Sequence, residues 1–146
     1  MTPPKPSSYV GVKVFYLNTA ANNALTPTDR LVNAPAPLTA ILTSLVAGPT
    51  SGDSAAGLTT AIPSNVTVLS ASAPASNIVT VNFSAAFGQI TGTDTELAVA
   101  QVVATVVTEV GLGTGVIFEI AGQRTQVPVA NGSQVAGPVY LLQFLP

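Results

Sequence analysis

Short runs of alternating apolar and polar residues recur along this chain, and each run predicts a β-strand. In residues 10–17, valines and Tyr16 fall on one face while Lys13 falls on the other. Residues 66–72 and 78–84 show the same period of two, and only five residues separate them. The first run therefore predicts a half-buried strand, and the other two predict a β-hairpin.

An apolar stripe with helical spacing predicts a first helix. Leu38, Ile41, Leu42 and Leu45 are spaced so that all four project from one side of a helix. A Gly-Pro pair at residues 48–49 then provides a stop signal. This helix is expected to cover part of a sheet with its leucine-rich face.

A second, longer helix is predicted from a capping signal followed by a valine stripe. Thr93 is expected to be the N-cap and Glu96 the N3 residue of a capping box. The helix is expected to run to about Val110, because Gly111 follows. Its buried face consists of Val99, Val102, Val103, Val106 and Val110.

The remaining segments give weaker patterns. Residues 116–121 predict another strand, and residues 126–129 and 139–144 predict less regular strands near the C-terminus. Residues 25–30 look extended and turn-like, and residues 50–64 look like a loop with one helical turn. The order of elements predicts an α+β fold: a two-layer sandwich with two main helices on one face of a mixed, mostly antiparallel sheet.

Charged residues make up only 7% of the chain, against about 25% in ordinary globular domains. The solvated surface is therefore built mainly from uncharged polar residues, which suits a crowded wall or an extracellular setting. The formal net charge is −2. No basic cluster is present for nucleic acid or for anionic lipid, so neither is predicted as a partner.

The chain lacks the residues on which most catalytic sites depend. It has no cysteine and no histidine, which excludes disulfides, thiolate chemistry and Ser-His-Asp sites. A pair of carboxylates such as Glu109 and Glu119 is expected to point outward from a glycine-rich connection. The glycines of residues 111–115 end a helix and precede a strand, the reverse of a phosphate-binding loop. The sequence predicts no enzyme, no cofactor and no metal site.

The organisation of the chain is expected to be simple. Residues 1–8 are rich in proline and serine and predict a flexible linker, and residues 9–146 predict a single domain. Prolines and hydroxyl residues interrupt the long uncharged stretches, so no transmembrane segment is predicted. No apolar leader follows Met1, and we hypothesise that an export signal precedes this sequence in a longer precursor.

Several motifs, in this order and spacing, resemble the GerMN domain. This is the sporulation and spore-germination domain of GerM and of LpqB-type actinobacterial lipoproteins. The resemblance covers nearly all of residues 9–144. The family often has Asp where this chain has Asn82, which puts a charge-dependent role there in doubt. The matching segments are VKVFYLN at 12–18, DRLV at 29–32, ILTSLVAGP at 41–49, GLTTAIP at 57–63, VTVL at 66–69, VTVNFSAAF at 79–87, Gln101 with Thr105, and VIFEIAG at 116–122.

The resemblance implies an extracytoplasmic domain, often lipid-anchored, without an established enzymatic activity. The family is also similar to ring-building domains of secretion-like assemblies. The favoured function is therefore a protein-interaction module of an envelope lipoprotein, with an envelope protein or a second copy as partner. The alternative is a domain that binds peptidoglycan or another glycan. Glycan sites usually present exposed aromatic rings, and this chain has no tryptophan and three tyrosines.

Two segments are long enough to be binding loops: residues 18–33 and residues 50–63. The first contains Asp29 and Arg30, and the second contains Asp53. In so uncharged a chain, Arg30 is a rare fixed donor that can bind a partner's carboxylate in bidentate fashion. The alternative is that Arg30 pairs locally and only fixes its loop. The sequence leaves both alternatives open.

Overall fold

The computed structural model describes residues 9–34, 36–72, 76–111, 113–129 and 132–144. The predicted linker at residues 1–8 lies outside this part of the chain. Nine strands and three α-helices follow one another within it: β1 Tyr9–Asn18, β2 Ala24–Asn33, α1 Leu38–Val46, α2 Ser51–Ala55, β3 Leu58–Thr59, β4 Val68–Ala71, β5 Ile78–Phe83, α3 Thr93–Val110, β6 Gly115–Ile120, β7 Gln123–Arg124, β8 Val127–Pro128 and β9 Gln134–Val135.

The α+β class is confirmed, and the strands are distributed over three sheets. The first sheet has the order β2-β1-β3, the second β4-β5-β6-β7, and the third pairs β8 with β9. The predicted hairpin is confirmed by the antiparallel pairing of β4 with β5. β5 and β6 are parallel, and α3 lies in the connection between them. Such a crossover is how a chain returns to the same end of a sheet.

The hairpin of β1 and β2 corrects the prediction that residues 18–33 form a loop. All ten residues of β1 pair antiparallel with the ten residues of β2. The turn between them contains a short 3₁₀ segment, and Asn22 and Asn23 have positive φ, which asparagine tolerates better than most residues. The prediction failed because β2 contains Pro27 and two charges and lacks the β-branched alternation of β1. Pairing with β1 decides its conformation.

Both long helices pack against β1 and contribute to one core. The valine stripe of α3 is confirmed for four of its five members, since Val99, Val102, Val103 and Val106 are fully buried and Val110 is partly buried. The same core contains Ile41, Leu42 and Leu45 of α1 together with the inward face of β1. Many valines lower intrinsic helix propensity, so contact with the sheets holds α3 in its conformation. Three buried rings form a cluster that joins β5, the turn after it and β6: Phe83, Phe87 and Phe118.

The predicted capping box at Thr93 is wrong. Thr93 is already the first helical residue, and its neighbour Gly92, at φ 64°, occupies the N-cap position without any side-chain cap. A complete capping box exists instead at α2. There the Thr50 side chain accepts a hydrogen bond from the Asp53 N–H, and Asp53 bonds back to the Thr50 N–H. The sequence pattern for a cap was present at Thr93. The positive φ of Gly92 makes this glycine the N-cap, so the helix begins at Thr93, one residue earlier than the pattern predicted.

The C-terminal segment forms less strand than predicted. Val139 forms an isolated bridge with Val116, and the following residues 141–144 adopt a 3₁₀ helix. The segment lies so close to β6 that a Cβ at Gly115 would be 2.8 Å from Pro138 and 2.9 Å from the Tyr140 ring. Glycine at this position is therefore required for close packing.

On the side of β1 that faces away from β2, the short β3 pairs only with Leu17 and Asn18. Beyond these residues, side chains of α3 contact the backbone of β1. Thr105 Oγ1 accepts the Phe15 N–H at 3.2 Å, and Gln101 Nε2 donates to the Phe15 carbonyl at 3.1 Å. Gln101 also donates to Thr60 Oγ1 and accepts the N–H of Ala61. Both helix side chains are fully buried. Helix side chains thus replace a neighbouring strand at this edge, as buried backbone groups require.

Candidate interaction surface

The structure brings two of the three predicted site residues together. Arg30 on β2 and Asp53 on α2 form an ion pair with Nη2–Oδ2 at 2.5 Å. Their side chains are only 17% and 14% exposed. The Arg30 guanidinium also lies over the ring of Tyr16, 5.5 Å from its centroid. Arg30 is therefore held by an anion and an aromatic face of its own chain.

Local structure on α2 explains where Asp53 points. The Thr50 N–H donates to Asp53 Oδ2 at 2.9 Å, as the capping box of this short helix requires. Thr28, next to Arg30 on the inward face of β2, donates to the other carboxylate oxygen at 3.3 Å. The carboxylate thus accepts bonds from three residues on two elements, and it ties α2 to the β1–β2 hairpin.

These contacts stabilise the charged forms of the pair. The Thr50 backbone N–H, followed by the Arg30 side chain, lowers the pKa of Asp53 from 3.8 to about 2. Burial opposes the charge of Arg30 and is the largest single influence, but the hydrogen bonds and charge interactions with Asp53 and Tyr16 together exceed it, so the pKa of the guanidinium is raised. Burial also raises the pKa of the Tyr16 hydroxyl, which donates to the carbonyl of Leu45. Tyr16 stays protonated, and the cluster carries one positive and one negative charge at neutral pH.

Asp29 lies apart from this cluster. Its side chain pairs with Lys13 on the outward face of the hairpin, where both side chains are well exposed. The link between Asp29 and the cluster is through the backbone, since Arg30 Nη1 donates to the Asp29 carbonyl at 2.9 Å. The structure thus shows Arg30 paired with a carboxylate of its own chain, as the second alternative predicted. Binding of a partner by Arg30, Asp29 or Asp53 stays a prediction.

The outer edge of β2 leaves backbone groups without partners in the described part of the chain. Phe15 directs its N–H and C=O toward α3, so its partner Pro27 directs its backbone groups away from β1. Leu31, four residues on, has the same orientation. No hydrogen bond of its N–H or C=O occurs within the described residues. Neighbouring carbonyls are covered: Arg30 binds that of Asp29, and the Ala36 N–H binds that of Asn33.

An apolar groove of about 460 Å³ runs beside this open edge. One wall is the end of β2 with Leu31, 73% exposed, and the other wall is α1 with Ala40 and Thr43. Tyr9, 58% exposed, lies at its end. Sequence reasoning missed Tyr9 and Leu31. The available signal was a leucine that directly follows three polar residues in a segment that was interpreted as a loop.

A second, more polar groove of about 380 Å³ lies at the start of α3. Amides, hydroxyls and one carboxylate line it, and no aromatic residue does. Its lining consists of Gly92, Thr93, Thr95, Glu96, Gln126, Pro128, Gly132 and Gln134.

Asn82, the departure from the family pattern, has a clear structural role. Its side-chain carbonyl accepts the Gly122 N–H at 2.9 Å. Ala121 and Gly122 both have positive φ in the tight turn between β6 and β7. An amide or a carboxylate can accept this bond, so the turn needs no charge at residue 82.

Within the described ranges, no group of three or more acidic side chains is arranged to hold a metal ion. Nor does any helix in those ranges have the length and apolar character needed to cross a membrane.

In the part of the chain that the structure describes, fold and surface together define an α+β domain with two internal ion pairs and an apolar groove beside the outer edge of β2. Its sequence matches the profile of the Germane family, described as "Sporulation and spore germination", over residues 13–126. The chain belongs to this family, which confirms the resemblance found from the sequence motifs. No curated protein sequence matches it.

Solved structures similar to this chain include GerMN domains. The first GerMN domain of the sporulation protein GerM from Bacillus subtilis matches with a TM-score of 0.68 at 15% identity, covering 90% of this chain and 97% of that one. The tandem GerMN domains of the same protein match with a TM-score of 0.65 at 20% identity; 84% of this chain spans 42% of the tandem chain. A Clostridium perfringens protein assigned as a lipoprotein matches with a TM-score of 0.57 at 14% identity, covering 96% of this chain and 93% of that one.

Proposed function

We propose that this chain is a non-catalytic, extracytoplasmic protein-interaction module of a cell-envelope lipoprotein. The observation that carries the proposal is the exposed apolar surface formed by Tyr9 and Leu31 beside the open edge of β2. Apolar side chains grouped at an unpaired strand edge are a hazard for a monomer and a usual feature of a binding surface.

The comparisons support the cellular setting of this proposal. GerM is a sporulation protein, and the Clostridium perfringens neighbour is assigned as a lipoprotein. A surface of uncharged polar residues, with 7% charged residues in the chain, suits the same setting. The chain also has neither histidine nor cysteine, so a catalytic site would have to rely on the few carboxylates, lysines and hydroxyls.

The charged residues predicted from the sequence have a smaller part in this proposal. Arg30 and Asp53 bind one another and are mostly buried, which favours a role in fixing α2 against the hairpin. Asp29 remains available at the surface beside Lys13. A partner can contact the rim of the Arg30–Asp53 pair, but the apolar groove offers more area that binding would remove from water.

Glycan binding is the second candidate, because the polar groove at the start of α3 presents amides and hydroxyls. Gln126, Gln134, Thr93 and Thr95 could bind sugar hydroxyls. The groove lacks the stacking ring that carbohydrate sites usually offer, which makes this candidate the weaker one.

Site-specific photo-crosslinking in cells that produce the protein tests the proposal. A benzophenone amino acid would be placed at Leu31, and at Leu69 and Leu142 as exposed leucines elsewhere on the surface. We expect protein adducts from position 31, identified by mass spectrometry. Sedimentation of the purified domain with isolated peptidoglycan is the parallel measurement. Co-sedimentation without protein adducts at any position would replace the proposal by glycan binding.

A further inference from the structure

The two halves of β2 differ in how their outer edge is protected. In the first half, Pro27 lacks an N–H, and the Arg30 side chain covers the carbonyl of Asp29. Prolines and charges are the usual means of preventing an edge strand from pairing with another chain. In the second half, the N–H and C=O of Leu31 face outward unbonded within the described residues, and the leucine side chain is exposed. The backbone groups of Leu31 are therefore left open directly beside the apolar groove.

We propose that the outer edge of β2 at residues 31–33 binds an extended, uncharged apolar segment of a partner protein as an added strand. The inference rests on the proposed function and names the chemistry of the partner. The main chain of the added strand would bond to the Leu31 N–H and C=O, and one of its side chains would enter the groove between Leu31 and Ala40. Alternate side chains of that strand would point to solvent.

Charge complementarity specifies an uncharged occupant. The ionic groups nearest to the groove within the described chain already pair with one another: Lys13 with Asp29, and Arg30 with Asp53. A charged residue entering the groove would lose hydration and gain no opposite charge. Apolar and hydroxyl side chains suit the lining, which is uncharged and consists of aliphatic residues, a proline, an asparagine, threonines and a serine, with Tyr9 at the end.

The size of the groove favours a single segment over the face of a second copy. Nine residues line it. A standard protein–protein interface takes about 20–30 residues a side. One strand of a few residues can fill a groove lined by nine residues, whereas a stable dimer needs a much larger contact surface. The strand-addition mode also gains its main-chain bonds from an edge that is already extended.

The test uses the ¹⁵N-labelled chain and a capped heptapeptide of alternating valine and threonine as the probe. We expect amide shift changes at Leu31, Asn33 and Thr43, and slower hydrogen exchange of the Leu31 amide in the complex. Two control peptides keep the length: one alternates valine with glutamate, and one carries a central proline. Both are expected to bind at least about tenfold more weakly, because one brings unpaired charge and the other lacks a donor.

Two variants separate strand addition from general apolar contact. Leu31→Pro removes the outward N–H, and Pro27 shows that β2 accommodates proline in this orientation. It should weaken binding at least about tenfold, whereas Leu31→Thr, which keeps the N–H, should weaken it about two- to fivefold. Leu142→Thr, at an exposed leucine elsewhere, should leave binding unchanged.

Equal losses for the proline and threonine variants would overturn strand addition, and so would shift changes centred away from β2. Absence of binding at about 1 mM peptide, or a concentration-dependent dimer abolished by Leu31→Pro, would also overturn it. These outcomes are distinguishable from failure of the proposed function. Protein adducts at Leu69 or Leu142 without any at Leu31 would reject the edge and keep the interaction module. If Leu31→Pro fails to fold, hydrogen exchange in the parent chain still tests strand addition. An exchange rate of the Leu31 amide that is the same with and without the peptide would overturn it.

Discussion

The two edges of the β2-β1-β3 sheet solve the same chemical problem in opposite ways. Beyond β3, the backbone of β1 would be buried and unpaired, and two side chains of α3, Gln101 and Thr105, satisfy the N–H and C=O of Phe15. At the other edge, the backbone of β2 at Leu31 has no such neighbour within the described residues. Among the described residues, the first edge is closed by side chains of the same chain, and the second has no such cover at Leu31.

The difference between these edges shows where polar residues stabilise this fold. Inside, an unpaired backbone group costs about 1–3 kcal/mol, so the helix must supply donors and acceptors there. At the surface, water satisfies the same groups, and the edge can stay open for another strand. The Arg30–Asp53 pair lies between these extremes, since it is mostly buried but near the rim.

The largest expected effect is at the closed edge. Gln101→Leu keeps the volume of the side chain but leaves the Phe15 carbonyl and the Ala61 N–H without partners. We expect the free energy of unfolding to fall by about 3 kcal/mol, measured by urea titration. If the variant unfolds at the same urea concentration as the parent, water reaches this edge and the two edges are equivalent.

Thr105→Val tests the second hydrogen bond between α3 and the backbone of Phe15. Valine is close in shape to threonine but cannot accept the Phe15 N–H, so the free energy of unfolding should fall by about 1.5 kcal/mol. Thr43→Val on the outer side of α1, where the hydroxyl bonds only within its helix, is the matched control. A loss as large in the control as at residue 105 would show that the hydroxyl–backbone bond across elements is not the cause.

The Arg30–Asp53 pair should have an intermediate effect. Arg30→Met removes the cation from a mostly buried carboxylate, and we expect a loss of about 1–2 kcal/mol in the free energy of unfolding. Peptide binding to the edge at Leu31 should stay within about twofold. Unchanged stability with lost binding would instead assign Arg30 to partner recognition.

The same pair predicts a pH dependence. The pKa of Asp53 is depressed to about 2 in the folded chain, so its contribution to stability is fully present above pH 4. It should be lost as the pH falls through about 2, because protonation then breaks the pair. Asp53→Asn should lose this contribution at every pH and show a flatter dependence of the urea midpoint between pH 4 and pH 2. Parallel curves for parent and variant would contradict the assignment.

The smallest effect on stability is expected on the outward face of the β1–β2 hairpin. Lys13 and Asp29 are paired but well exposed, and water screens their interaction. Lys13→Met should change the free energy of unfolding by less than about 0.5 kcal/mol. A loss comparable to that of Arg30→Met in the same urea titration would mean that exposure does not separate the two pairs.

The sequence determined the features that repeat along the chain. Period-two and helical spacing predicted β1, the pairing of β4 with β5, and the buried valine stripe of α3, since burial of one face imposes these patterns. The family motifs predicted the family that the profile match confirms. Arg30 and Asp53 were also selected together as unusual charges, although nothing in their positions showed that they meet.

Only the tertiary structure decided which residues serve each edge. Contacts between Phe15 and Gln101 join residues 86 positions apart, and no local pattern encodes such a distance. The same holds for β2, whose extended conformation comes from pairing with β1, and for Leu31, whose exposure depends on which face of that pairing it occupies. Local patterns report which faces are buried, while partners across the chain decide which strand edges are closed and which stay open.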